Sequence, residues 1–162
     1  MIFCLAILFF FASDQITKQL VTAGMEVNQT IPVIDGIFHI TYVRNFGAAF
    51  SILQGKQFFL ITVTFIALAV IFIYLIKKIR DNPRILSLSL SLIEGGGFGN
   101  LADRIRLGYV VDFFDFRAFP VFNVADICVC CGCGLLILFL CYIEPRTTRR
   151  LELQDDKADF HN

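Results

Sequence analysis

Phe58 to Ile76 runs for nineteen residues without a charged side chain. As a helix it rises roughly 28 Å, close to the hydrocarbon thickness of a bilayer. Inside lipid every backbone N–H and C=O must be paired within the structure, which leaves helices and closed barrels as the only ways across. Three more apolar runs, at about 1–22, 85–102 and 124–143, repeat the pattern. The 162 residues are 57% hydrophobic, where a soluble domain holds roughly 45–50%. The length suits one domain. The net charge of zero leaves no basic field for phosphate backbones, so nucleic acid is not expected as a partner.

Charge orients the spans. Lys77, Lys78, Arg80 and Arg84 lie in the short connection between the second and third runs, and Arg146, Arg149 and Arg150 follow the fourth. Basic residues concentrate on the cytoplasmic side. Both termini are therefore expected in the cytoplasm, with loops 23–57 and 103–123 outside and 146–162 as a cytoplasmic tail. The first run also allows a signal-peptide reading, but it lacks a basic n-region and an Ala-x-Ala site. Ile37 to Val43 is rich in β-branched and aromatic residues and reads as a strand, with His39 as a strand residue. The expected architecture is a membrane all-α core: a four-transmembrane-helix bundle with a small extracytoplasmic β-sheet lying on the membrane surface.

The third run is the awkward one. Ile85 to Ile93 alternates Ser with apolar residues, a strand-like period. A lone strand cannot cross lipid, whereas Ser in a helix can bond back to its own backbone, so a helix is expected. Gly95 and Gly99 are spaced for close helix contact. Glu94 is a lone acid in this span with no role assigned. In the fourth run, Cys128, Cys130, Cys131 and Cys133 form a Cys-x-Cys-Cys-x-Cys cluster. A soft metal is one reading. On a helix these residues point around much of the circumference, so packing or lipid contact is the preferred one.

Ionisable groups at membrane boundaries are functional suspects. Asp14 and Lys18 stand i, i+4, either as a neutralised pair near a helix end or as a pair facing the bundle interior. Asp103 adjoins Arg104 and Asp115 lies near Arg117, which suggests solvated or paired roles for both acids. Asp112 sits between Val111 and Phe113 in what reads as a loop, where desolvation favours the neutral acid. Asp126 falls in the first turn of a helix that Asn123 can cap, where the helix dipole favours the carboxylate. A chain folded back between them can bring Asp112 and Asp126 face to face, and two carboxyls sharing a site split into an acid and a base.

Five stretches also resemble a known family. They are Asp14 with Lys18; Asn45-x-Gly47-Ala48-Ala49-Phe50-Ser51; Gly96-Gly97-Phe98-Gly99-Asn100-Leu101-Ala102-Asp103-Arg104; Gly108-Tyr109-Val110-Val111-Asp112-Phe113; and Phe122-Asn123-Val124-Ala125-Asp126. In order and spacing they are similar to the motifs of lipoprotein signal peptidase (signal peptidase II). The resemblance implies a bacterial inner-membrane aspartic endopeptidase. Such an enzyme removes the signal peptide from diacylglyceryl-modified prolipoproteins, cutting just before the lipidated cysteine. By motif position Asp112 and Asp126 are the expected catalytic pair. Asp14, Lys18, Asn45, Gly47, Ala48, Gly99, Asn100, Arg104, Asn123 and Ala125 are expected to bind substrate or organise the site.

The resemblance further implies an active site near the periplasmic face, no cofactor and no metal. Its partners are lipidated prolipoprotein signal peptides and membrane lipid, with sensitivity to globomycin-type cyclic peptides. A different class remains in view from the residues alone: a small transporter using Asp14, Glu94 and Asp126 as an ion path. Against it, most of the acids lie at one boundary, and the sequence has no internal repeat.

Overall fold

The computed structural model describes residues 2–47, 53–77 and 83–145. Ala48 and the rest of its motif to Ser51, Lys78 and Arg80, and the tail from Arg146 lie outside the described residues. Helix α1 spans Ile2–Gly24, strands β1 and β2 span Thr30–Ile34 and Phe38–Asn45, and α2 spans Gln57–Lys77. Helix α3 is Arg84–Leu107, β3 is Val110–Asp115, and α4 is Val124–Leu138, continued by a π-helical turn at Phe139–Ile143. Among the described residues, four helical stretches are long and apolar enough to cross a membrane: Phe3–Gly24, Gln57–Lys77, Arg84–Leu107 and Val124–Ile143.

Helix α3 is the central post, packed against α1, α2 and α4. The serine run is helical: Ser91 Oγ donates to the Ser87 carbonyl at 2.7 Å and Ser89 Oγ to the Leu86 carbonyl at 2.8 Å. Back-bonding satisfies these buried hydroxyls within α3, and Ser91 Oγ also lies 3.5 Å from the Phe3 carbonyl of α1. Glycine lets the neighbours approach. A Cβ on Gly95 would stand 2.6 Å from Phe10 Cβ of α1, and one on Gly132 of α4 would stand 2.7 Å from the Ser89 carbonyl. Phe3, Ile7, Leu75, Leu86, Leu90 and Phe139 form the apolar core at the other end of the bundle from the sheet. Outward-facing residues such as Leu5, Phe58, Phe65 and Ile137 are exposed, as a lipid-facing surface requires.

The region 103–123 is not simply a loop. Helix α3 continues past 102 to Leu107, where Gly108 closes it in the left-handed conformation at φ 79°. Val110 to Asp115 then forms a strand, so Asp112 lies on β3 rather than in a loop. The β-branched and aromatic content of Val-Val-Asp-Phe-Phe supports extended backbone, and β2 supplies the pairing edge. The sheet is antiparallel in the order β1-β2-β3, with Val43 opposite Asp112 and Asn45 opposite Val110. Tyr42, Val111 and Phe113 are buried beneath it. The sheet therefore draws on both connecting regions and sits where α1 and α3 end and α4 begins.

Candidate active site

Asn123 begins the site. Its side-chain carbonyl accepts from the Asp126 N–H at 2.9 Å, and its own backbone N–H donates to Asp126 Oδ2 at 3.2 Å. This reciprocal capping box sets the start of α4 and orients the Asp126 carboxyl. The same Asn123 donates through Nδ2 to Asp112 Oδ1 at 2.7 Å. One capping residue thus holds a carboxyl from β3 and a carboxyl from α4.

Each acid has a second amide partner. Asn45, at the end of β2, donates to Asp112 Oδ2 at 2.9 Å. Asn100, on α3, donates to Asp126 Oδ1 at 2.8 Å. The Asn45 carbonyl oxygen also accepts from the Gly47 N–H at 2.9 Å, and Arg104 donates to the Gly47 carbonyl at 3.0 Å. Arg104 lies close enough to Asp126, Asp112 and Asp103 to feel the charge of all three.

Asp112 is 2% exposed. Burial pushes its carboxyl up to about 7; the amide of Asn45 pulls it back, and the negative charge of Asp126 pushes it further up. A carboxyl held there is partly protonated at neutral pH.

Behind the two acids lies a buried ion cluster. Lys18 Nζ is 2.8 Å from Asp14 Oδ2, 2.9 Å from Asp103 Oδ2 and 2.9 Å from Asn100 Oδ1. Asp14 accepts from the Ala125 N–H at 2.9 Å, tying α1 to the first turn of α4. Gly99 and Ala125 are small because Asp14 fills the space between them: a Cβ on Gly99 would overlap the Asp14 carboxyl. Asp14 and Lys18 therefore face the bundle interior, where they neutralise one another.

Asp103 and Gln15 complete this cluster. Asp103 is buried and has the paired role, not the solvated one. It pairs with Lys18, and its Oδ2 accepts from the Val111 N–H at 3.2 Å. Gln15 donates to Asp103 Oδ1 at 3.1 Å and to Asp14 Oδ2 at 3.2 Å. The signal for Asp103 was its helical spacing, three residues after Asn100 on one face. Gln15 had none beyond its place beside Asp14.

Asp115 pairs with the half-exposed Arg117 at 3.7 Å, and Thr41 donates to it at 2.7 Å. His39 is a buried strand residue whose Nδ1 accepts from Arg117 at 3.1 Å. Glu94 is fully buried, and neither of its carboxyl oxygens has a hydrogen-bond partner among the described residues. Cys128 is buried on the α3 side of α4, whereas Cys130, Cys131 and Cys133 are exposed.

Asp112 and Asp126 open onto a cavity of about 780 Å³. Its polar end holds Asn45, Asn100 and Arg104, and its walls include Val63, Ala67, Leu68, Ile71 and Ile93 of α2 and α3. Paired carboxyls at one end of an apolar cavity suit general acid–base attack on an extended or helical apolar chain.

Known proteins share both sequence and shape. The family model for signal peptidase (SPase) II matches residues 6–142. A lipoprotein signal peptidase of Halothermothrix orenii is 49% identical over 127 residues, covering 78% of this chain and 86% of its own. One of Geobacter metallireducens is 47% identical over 143 residues, covering 84% and 88%. A bacterial membrane enzyme solved by the in meso method at 2.3 Å resolution superposes with a TM-score of 0.78 at 35% identity, over 85% of this chain and 86% of that one. A second, at 1.9 Å, gives 0.77 at 34% identity over 87% and 93%.

Proposed function

The chain belongs to the signal peptidase II family, and from that premise we propose that it is an aspartic endopeptidase with Asp112 and Asp126 as the catalytic pair. It removes the signal peptide from diacylglyceryl-modified prolipoproteins, cutting just before the lipidated cysteine. The observation that carries this reading is the joint hold of Asn123 on both carboxyls at the polar end of the apolar cavity.

A water between the carboxyls attacks the scissile carbonyl. Asp126 takes the proton from that water. Asp112 enters protonated, donates a hydrogen bond to the developing oxyanion and then a proton to the leaving amine. Its position near 7 keeps enough of the acid form at neutral pH. No covalent intermediate, cofactor or metal takes part. Asn45, Asn100 and Asn123 hold the two carboxyls, while Arg104 and Gly47 shape the rim. Asp14, Lys18, Gly99 and Ala125 fix the α1–α3–α4 junction beneath. Ala48, three residues beyond Asn45, belongs to the same motif.

The signal helix of the substrate lies against the apolar wall of α2 and α3, and its lipid tails remain in the bilayer. Globomycin-type cyclic peptides compete for the same cavity. The enzyme resides in the bacterial inner membrane with both termini cytoplasmic and the carboxyl pair near the periplasmic face. Purified protein should cleave a lipidated precursor in detergent with chelator present. Asp112→Asn and Asp126→Asn should each lower turnover about 10³-fold or more while retaining inhibitor binding. Near-normal turnover by either variant would remove the pair from the mechanism.

A further inference from the structure

A second cavity, of about 470 Å³, lies on the far side of the Lys18–Asp103 pair from the carboxyl pair, between the last turns of α1 and α3 and the sheet. Neither Asp112 nor Asp126 lines it, and Arg44 borders both cavities. Lys18 and Asp103 in its floor neutralise one another at 2.9 Å. The remaining charged groups that line it are Arg44, Arg106 and Glu26.

Among the described residues none of these three is in an ion pair, although they share one cavity. The Arg44 guanidinium stacks 4.8 Å over the Tyr109 ring, which orients it while leaving its donors free of any carboxylate. Arg106 donates to the neutral amide of Gln15 at 3.3 Å. The lining is thus divided: two guanidiniums attract an anion. Glu26, with the carbonyl ends of α1 at Gly24 and α3 at Leu107, attracts a cation.

The depth of the cavity points to its occupant. Its lining residues on α1 begin at Gln15 and run through the last turns of a 23-residue helix, with Glu26 just beyond the helix end. That is headgroup level for a span entered at the other end. Directly beside Gln15, Gln19 and Arg106 stand Ile16, Leu20 and Ile105, exposed by 56%, 69% and 62%. A polar, doubly charged cavity with an apolar flank suits one amphiphile better than a free ion.

We propose that this cavity binds the headgroup of a phospholipid bearing a phosphate and a primary amine. The phosphate sits between Arg44 and Arg106, the ammonium faces Glu26, and the acyl chains run along Ile16, Leu20 and Ile105. Arginine forks match phosphate oxygens in pairs, and a carboxylate accepts a charge-assisted hydrogen bond from an ammonium. The proposal rests on the lining of this cavity and uses neither Asp112 nor Asp126.

Native mass spectrometry of the full-length protein tests it. Delipidated protein is mixed with equal amounts of phosphatidylethanolamine, phosphatidylcholine and phosphatidylglycerol of matched acyl chains, and retained lipid is measured. Phosphatidylethanolamine should be retained preferentially. Arg44→Gln with Arg106→Gln should reduce its retention about tenfold or more, the scale of losing charge-assisted bonds. Glu26→Gln should abolish the preference over phosphatidylcholine while leaving phospholipid bound. Thermal unfolding in detergent serves as the folding control for both variants and should be unchanged. Equal retention of the three lipids by the unaltered protein would overturn the proposal. So would displacement of lipid by millimolar inorganic phosphate alone, which would mark a site for the free anion.

Discussion

The side-chain amide of Asn123 donates to Asp112 Oδ1 at 2.7 Å, joining the cap of α4 to the middle of β3. Eleven positions of chain separate the two residues, and the turn between them returns the backbone to the same point. Two roles meet in Asn123, and substitution separates them. Asn123→Ala loses the cap and both holds, and should cost about 1 kcal/mol of stability and roughly 10²-fold in turnover. Asn123→Ser keeps the cap without the reach to Asp112, so it should recover the thermal stability and not the turnover. Recovery of both by Ser would reduce Asn123 to a cap.

The carboxyl of Asp112 makes stability depend on pH. Its folded position, about 7, is above its ordinary 3.8, so the folded state binds the extra proton between those values. The stabilisation is therefore full below about pH 4 and is lost as pH rises through about 7, a change on the order of 4 kcal/mol. Asp112→Asn should flatten that slope and leave the protein more stable than the unaltered one at pH 8. Thermal unfolding in detergent across pH 4 to 8 reads the effect. Turnover of the unaltered enzyme should decline over the same alkaline limb, as the acid that protonates the leaving amine is lost. A parallel stability slope in Asp112→Asn would assign the titration to another group.

Lys18 stands between two buried carboxylates. Its removal leaves uncompensated charge in the bundle, a loss of roughly 3–5 kcal/mol. Lys18→Met should therefore express poorly or melt early, and pairing it with Asp14→Asn and Asp103→Asn should recover most of the stability. Turnover should stay low in the triple variant, because Asn100 no longer receives the ammonium that orients it toward Asp126. A triple variant as unstable as the single one would show that the cluster acts by shape and not by charge.

Reporter fusions test the orientation. Fusions after residues 80 and 150 should report a cytoplasmic location, and fusions at 35 and 115 an external one. The basis is the set of Lys77, Lys78, Arg80 and Arg84, together with Arg146, Arg149 and Arg150. A tail reached only from outside would reverse the assignment of faces.

Four spans follow from the sequence alone, because lipid admits only segments that satisfy their own backbone; the third was expected to end at 102 and runs to Leu107. The helical state of the Ser-alternating run follows from the same constraint, since its period taken alone pointed to a strand. Asn123 and Asp126 announce their capping box locally, three residues apart. Asp112 was legible as a buried acid but not as a strand residue, because β3 exists only through pairing with β2 across 67 residues between Asn45 and Asp112. Asp103 looked paired with its sequence neighbour Arg104. Only the packing of α1 on α3 turns it inward, onto a lysine 85 positions away by number (103 − 18) and onto the Val111 N–H beside Asp112. Covalent order and residue type set which segments enter the membrane and which groups are costly to bury. Which of those groups meet, and so which acid is held near 7, was decided by long-range contacts that no local pattern encodes.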